Sequence, residues 1–232
     1  MSSSAIQLSI IIPLRNGDES LSALLAFLEG QKVGPESSTF EIIVSLEPGA
    51  KESSATLAGL RTIHSERSGR PFQLNAGALV ATGKWLWFVH ADSRISSEDF
   101  RKILVITKNH ETKKVVYYSW LAYAKDSPWG CYLNALGANL RSFAFKRPFG
   151  DQGLLVPKFL FNQLRGFPLE FDSAEDHAFV QLAHMRKVPI VPSRTLIETS
   201  GRKYGEHGWL RTTLEHVRAT VRQEISGKGT QR

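Results

Sequence analysis

Two short acidic stretches carry the chemistry this chain can offer. In WLWFVHADSRIS, an apolar run beginning at Trp85 stops abruptly at His90-Ala91-Asp92. In FDSAEDHAF, Glu175 and Asp176 follow Ser173 at the start of a predicted helix. A carboxylate held at the tip of a buried strand can bind a divalent cation beside phosphate oxygens. Mg²⁺ and Mn²⁺ often take one or two protein carboxylates and leave the rest of the shell to phosphate and water. Taken alone, Asp92 reads more readily as a cap on the turn into the next helix. A carboxylate directed into the same crevice can accept a proton from an attacking hydroxyl, which contributes roughly 10²–10⁴-fold to a rate. Acids in a first helical turn are also favoured by the helix dipole alone, so Glu175 and Asp176 admit both readings.

The elements that must position these residues are legible as alternating strands and helices. LSIIIP (Leu8–Pro13) and EIIVSL (Glu41–Leu46) are continuous apolar runs, as expected of strands buried on both faces. ESLSALLAFLEG (Glu19–Gly30) has helical apolar spacing and is expected to end at Gly30. KESSATLAGL predicts a short helix, RTIHS a weak third strand, RPFQLNAGALVAT (Arg70–Thr82) a helix closed by Gly83, and KWLWFVH the fourth strand. SEDFRKILVITKN predicts a helix capped by Ser96 or Ser97, with Glu98 and Asp99 in its first turn. Such alternation implies a mostly parallel sheet with right-handed crossovers, and ligands of such sheets bind beyond the carboxyl ends of the strands. Pro13 to Asn16, Leu46-Glu47 and His90 to Asp92 all lie at such ends.

The second half is less regular. KVVYYSWLAYA predicts a long strand, WGCYLNALGANLRSFAF a helix, GDQGLLVP (Gly150–Pro157) a strand, and KFLFNQLRGFP a helix ending at Gly166. SAEDHAFVQLAHMRK predicts a helix with Ser173 as N-cap, and VPIVP a short strand. Trp85, Trp87, Phe88 and Phe145 are expected in the core. Trp120 and Trp129 could stack on a sugar or simply pack. His64, His110, His177, His184 and His216 show no paired metal spacing and are expected to be structural.

The 232 residues and 42% apolar content suffice for one domain with a real core. The single cysteine, Cys131, excludes an internal disulfide framework and fits a reducing compartment. MSSSAIQLSIIIP has no basic region before its apolar stretch, so no signal peptide is expected, and no apolar run approaches a membrane span. The expected location is the cytoplasm, with peripheral contact at the inner membrane face as the alternative. Net charge is +7, and residues 201–232 hold seven Lys or Arg against three Glu. Phosphorylated substrates and anionic lipid suit that charge; no nucleic-acid-binding motif is present. The segment Trp209–Ile225 has apolar residues at 210, 214, 217, 221 and 225, the pattern of a cationic amphipathic helix. It would lie on anionic lipid or pack on the domain; its narrow stripe and interrupting Glu residues favour packing.

A dinucleotide site would need a glycine-rich turn after the first strand, but PLRNGDES has one glycine. A Walker A pattern is absent too. A diphosphate bound without a glycine cradle needs another source of positive charge, and a metal on Asp92 would supply it.

Taken in order, these segments resemble family-2 glycosyltransferases with the GT-A fold. LSIIIPLRNGDESLSALLAFL resembles their opening strand and polar turn, and EIIVSLEPG their second strand. GRPFQLNAGALVATGKWLWFVHADSRI resembles their G-R-x-x-Q-x-N-x-G helix and the strand bearing a D-x-D-like motif. GDQGLLVPKFLFNQLRGFP and AEDHAFVQLAHMRK resemble their acceptor-side strand and E-D catalytic helix. TSGRKYGEHGWLRTTL resembles the tail of a bacterial subgroup with an H-A-D motif, associated with radical-SAM or arsenosugar gene clusters. The likeness spans roughly residues 7–220.

The resemblance implies a Rossmann-like GT-A catalytic domain over residues 1–200, with a mixed, mostly parallel sheet flanked by helices. It implies a basic helical extension over 201–232, packed on or near the active site. Asp176 matches the catalytic base, with Glu175 beside it. Asp92 matches the metal-binding last acid of the D-x-D motif, and His90 and Ala91 precede it in the donor site. Pro13, Arg15, Asn16, Glu47, Arg70, Gln73 and Asn75 match donor-facing positions. Asp151 and Gln152 match the acceptor side. Arg202, Lys203 and His207 match a C-terminal segment that closes over the diphosphate, with His207 as a second metal ligand. Leu46 stands where the family carries Asp, and His90 replaces the first acid of D-x-D. The activity implied is inverting, Mn²⁺- or Mg²⁺-dependent transfer from a nucleotide-diphospho-sugar, a UDP-sugar first, to a small-molecule or lipid-linked hydroxyl. The alternatives are a nucleotide-sugar-binding protein without turnover and a nucleotidyltransferase-like enzyme.

Overall fold

The computed structural model describes residues 6–15, 20–32, 39–50, 60–170 and 175–201. The strands are β1 (Leu8–Leu14), β2 (Phe40–Leu46), β3 (Arg61–His64), β4 (Trp85–Phe88), β5 (Val116–Tyr123), β6 (Leu155–Pro157) and β7 (Ile190–Thr199). The helices are α1 (Leu21–Gln31), α2 (Arg70–Val80), α3 (Ser97–Asn109), α4 (Gly130–Phe145), α5 (Lys158–Gln163) and α6 (Glu175–Met185). The strands form one sheet in the order β3-β2-β1-β4-β6-β5-β7. β1 runs parallel to β2 and β4, and β2 to β3. β6 is antiparallel to β4 and β5, and β7 returns parallel to β5. The mostly parallel sheet flanked by helices is thus present, and the single reversed strand makes it mixed.

β1 shows why the apolar runs are continuous. Leu8, Ile10 and Ile12 join a core with Leu24, Leu28, Phe100 and Ile103 from α1 and α3. Ile11 faces the other side, with Leu74 and Ala78 of α2 and Phe179 of α6. A strand covered on both faces has no polar side to alternate with. Pro13 costs no ladder bond. Val89 donates to Ile11 O, so position 13 points to the same side, where β4 has already ended at Phe88.

Several boundaries differ from the sequence expectation. α1 continues past Gly30 to Gln31. α2 ends at Val80, before Gly83. Gly83 serves a different purpose: a Cβ there would sit 2.6 Å from Ser9 N, and its own N–H donates to Ser9 Oγ at 2.9 Å. The chain must pass flush against β1 to enter β4. Gly150–Gln152 is a 3-10 turn, and β6 is confined to Leu155–Pro157. β7 extends well beyond VPIVP to Thr199, across a register irregularity between Tyr118 and Trp120. Phe145 is 68% exposed, whereas Trp85, Trp87 and Phe88 are buried as expected. The KESSATLAGL helix, the Ser173 cap and the Trp209–Ile225 helix fall outside the described residues. Among the described residues, no helix is long and apolar enough to cross a membrane.

Candidate active site

A narrow cleft opens beyond the carboxyl end of β4. It is lined by the polar side chains of Arg70, His90 and Asp176, by Gly150, and by the apolar Leu74, Phe88, Leu154 and Phe167. This is where an open α/β sheet places its ligand. Val89 and Ala91 are buried, His90 and Asp92 half-buried, so the strand alternation carries two polar side chains out of the core. Ser93 N–H donates to His90 O at 3.1 Å and closes the turn. The end of β7 holds this turn from the side. Arg94 and Glu198 exchange backbone bonds of 2.8 and 2.9 Å, and Thr199 Oγ1 donates to Asp92 Oδ2 at 3.3 Å.

Asp176 enters from the first turn of α6. Its Oδ1 accepts from the His177 N–H at 2.7 Å, and its Oδ2 accepts a short bond from the Gly150 N–H. Both oxygens are therefore oriented by backbone donors. Gly150 has no room for a side chain: a Cβ would overlap Arg70 Nη2 and lie 2.9 Å from Asp176 Oδ2. Glu175 takes a different direction. It is 1% exposed, and its Oε1 lies 2.7 Å from Arg70 Nε. Burial pushes its carboxyl pKa up, opposed chiefly by Arg70 and raised further by Asp176. Of the two adjacent acids, Asp176 lines the cleft and Glu175 anchors the arginine beside it.

Asp151 follows Gly150 in the same turn. Its Oδ1 is buried and has no hydrogen-bond partner among the described residues. Withdrawal from water, then Asp176 and more weakly Asp92, push its pKa up from 3.8 to about 7, against the pull of Arg70. Asp176 and Asp92 are thus both close enough to act on Asp151. Among the described residues no three His, Cys, Asp or Glu side chains converge on a metal position. A hard cation here would rest on Asp92, with ligand oxygens and water completing its shell. That fits the way Mg²⁺ and Mn²⁺ are held beside a diphosphate.

The remaining expected site residues are distributed differently. Gln73 is 2% exposed; its Nε2 donates to Leu14 O at 2.7 Å and Ser45 O at 2.9 Å, joining the ends of β1 and β2. Asn75 pairs with the backbone of Phe167 in both directions, at 2.8 and 3.0 Å. Gly77 lets α2 lie on β1, where an added Cβ would meet Ile11 at 2.5 Å. In GRPFQLNAG, then, Arg70 faces the cleft while Gln73, Asn75 and Gly77 lock the helix that carries it. Gln152 is buried, accepting from Ser142 Oγ at 2.7 Å and Phe149 N at 2.9 Å while donating to Ser119 O at 3.1 Å. It shapes the turn that presents Gly150 and Asp151. Glu47 is half-buried just after β2, and Arg15, exposed after β1, draws the Glu175 carboxyl pKa down. Asn16, Arg202, Lys203 and His207 lie outside the described residues. Sequence reasoning does not find Gly150 and Thr199, although a glycine directly before an acid in a loop is a signal for close backbone approach.

The family model "Glycosyl transferase family 2" matches residues 9–151 of this chain. The chain belongs to glycosyl transferase family 2. The match runs from β1 through the Gly150-Asp151 turn and so takes in the Asp92 strand tip. A Drosophila melanogaster protein, "Dolichyl-phosphate beta-glucosyltransferase", is 29% identical over 121 residues, covering 46% of this chain and 37% of that protein. Among solved structures, S. aureus TarS 1-349 aligns with a TM-score of 0.60 at 18% identity, over 84% of this chain and 60% of that one. A mannosyltransferase, PcManGT from Pyrobaculum calidifontis, in complex with GDP-Man and Mn²⁺, aligns with a TM-score of 0.59 at 15% identity, over 90% of this chain and 62% of that one. These structural likenesses bear out the GT-A fold of the family-2 glycosyltransferases. The chain spans about a third of the fly protein and under two thirds of each structural relative.

Proposed function

We propose that this family-2 glycosyltransferase transfers a sugar, with inversion, from a nucleotide-diphospho-sugar to an acceptor hydroxyl. The observation that carries the proposal is Asp176: a carboxylate oriented by two backbone N–H groups, in a cleft shared with Arg70 and at the tip of the Asp92 strand. In this reading Asp176 accepts the acceptor's proton as its oxygen forms a bond to the anomeric carbon. The bond from that carbon to the donor's phosphate oxygen breaks, and the nucleoside diphosphate leaves. Much of the rate then comes from holding the two reactants in line.

Asp92 would hold the divalent metal, Mn²⁺ or Mg²⁺, which offsets the charge on the leaving diphosphate when bound. The structure of PcManGT, solved with GDP-Man and Mn²⁺, supports that assignment. TarS has been solved with UDP and with UDP-GlcNAc, which favours a UDP-sugar as the first donor to test. Arg202 and Lys203 stand three and four residues after Thr199, which bonds Asp92, and this closeness in sequence supports a closing role over the diphosphate for Arg202, Lys203 and His207. The dolichyl-phosphate substrate in the fly relative's name supports a lipid-linked acceptor beside a small-molecule one. The H-A-D subgroup assignment rests on residues 90–92 and the tail.

A second reading is favoured by Leu46, which is buried at the end of β2 where the family carries an acid. It is a nucleotide-sugar-binding protein that does not turn over. Mass analysis of products with wild type and Asp176→Asn separates the two. Transferred sugar with wild type, lost in the variant while donor binding persists, is the expected result. Full transfer by Asp176→Asn would remove Asp176 from the chemistry, and no transfer by wild type would favour the second reading.

A further inference from the structure

Helix α4 is built inside out. Its buried residues are small: Gly130, Cys131, Ala135, Ala138 and Ser142, which let it lie close on Leu121 and Tyr123 of β5. Its large apolar residues face outward. Leu133, Leu136, Leu140 and Phe143 are each at least half exposed, and Trp129, just before the helix, is 72% exposed. Their spacing of three and four residues makes one continuous stripe along the helix. No Asp, Glu, Lys or Arg stands among the exposed residues of α4. Single exposed leucines are ordinary, but a contiguous apolar face of this length marks a surface that something covers.

We infer that residues 209–225 of the same chain cover it. Three observations name this occupant. First, the described chain ends beside the helix: Gly201 N–H donates to Ser127 Oγ at 3.2 Å, three residues before α4 begins. Second, the segment beyond Gly201 has the matching pattern. Leu210, Leu214, Val217, Val221 and Ile225 recur at helical spacing, while Arg211, Arg218, Arg222, Glu215 and Glu224 occupy other positions. Third, the lengths agree. The 16 residues of α4 span about 24 Å, and a helical stripe from 210 to 225 spans about 22 Å. The nine residues from Gly201 to Leu210 reach at most about 30 Å, enough to start at either end of α4. The partner that fits is thus a second amphipathic helix packed along the stripe with its charges outward, as in an antiparallel or parallel helix pair.

The same packing has a consequence for the cleft. Arg141 of α4 lies 3.1 Å from His177 Nδ1, next to Asp176, and Ser142 bonds the Gln152 that shapes the Asp151 turn. A helix held on the outer face of α4 would support the base and the acceptor-side turn from behind.

A mid-helix disulfide tests the inference without assuming a direction. Leu136 lies near the middle of α4 and Val217 near the middle of the stripe, so they meet in either orientation. The full chain with Leu136→Cys and Val217→Cys is oxidised and analysed by non-reducing gel and peptide mass, beside the control pair Leu136→Cys and Arg218→Cys. Cys131 is buried and does not compete. A disulfide within one chain for the first pair, formed much faster than in the control, is the expected result. Disulfides that join two chains would mean that a second copy covers the face, and the inference fails. Absence of the bond fails it as well, and co-sedimentation of wild type with anionic vesicles would then identify a lipid surface as the occupant. Retained melting temperature in the reduced double variant shows that the fold is intact. Leu136 is 65% exposed, so its replacement is not expected to disturb the core.

Discussion

Arg70, at the start of α2, and Glu175, at the start of α6, meet at 2.7 Å between Nε and Oε1. This ion pair ties α2 to the helix that carries Asp176. Glu175 is sealed from water while Arg70 is partly open, so the pair is not worth its full Coulomb energy. Removing one partner is nonetheless costly, because it leaves a buried carboxylate without its counter-charge. Arg70→Met is expected to destabilise the fold by about 3 kcal/mol, and Arg70→Met with Glu175→Met by clearly less. Urea unfolding of the two single variants and the double variant measures the coupling. Additive losses would show that the two side chains act independently.

Gly150→Ala is expected to separate activity from stability. The added methyl must displace the end of the Arg70 side chain and crowd Asp176 Oδ2. A displacement of the order of 1 Å at a reacting group can cost about 10²-fold in rate. The expected outcome is a kcat lowered to about that extent with the helix and sheet content unchanged by circular dichroism. Unchanged kcat would mean that Asp176 takes its working position without Gly150.

Gln73→Leu is expected to do the opposite. The substitution leaves Leu14 O and Ser45 O without their buried donor, at a cost of about 1–3 kcal/mol for each group. Nucleotide affinity of the folded fraction should remain as in wild type, because the side chain bonds backbone. Loss of affinity without loss of stability would return Gln73 to the donor site.

Asp151 imposes a pH dependence with a definite sign. Its pKa is 3.8 in the open chain and about 7 in the fold, so the folded state binds more protons between those values. Stability on this account is fully present below about pH 4 and falls as pH rises through about 7, relative to Asp151→Asn. The other titratable groups that face it, Asp176 and Asp92, raise its pKa, and Arg70 opposes them. Chemical denaturation of both proteins at pH 5, 6, 7 and 8 follows the difference. A difference independent of pH would place the Asp151 carboxyl in water.

Much of this is legible in the sequence, for identifiable reasons. β1, β2 and β4 are unbroken apolar runs that no helix period explains, and Asp92 and Asp176 stand where such elements meet turns. The sequence pattern cuts β7 short because its alternation breaks. Arg194 sits at φ 62, in the left-handed region, after Pro192, and the register slips there against β5. A bulge of this kind erases the period of two from which a strand is recognised. The direction of a side chain is less legible than its presence. Gln73, Asn75 and Gln152 are polar residues in the right segments, but each bonds backbone that lies far away in sequence. Likewise, Glu175 and Asp176 are neighbours with opposite fates. That division depends on Arg70, which only the folded chain brings to Glu175.

The most direct measurement is a thermal-shift panel of UDP, GDP, CDP and dTDP, with NAD as control, each with Mn²⁺, Mg²⁺ or EDTA, on wild type and Asp92→Ala. A ligand that binds only the folded state raises its melting temperature by mass action. The account predicts a shift with one nucleoside diphosphate that requires the metal and disappears in Asp92→Ala. An equal shift in Asp92→Ala, or none with any nucleotide in wild type, would contradict a metal-assisted nucleotide-sugar site at the tip of β4.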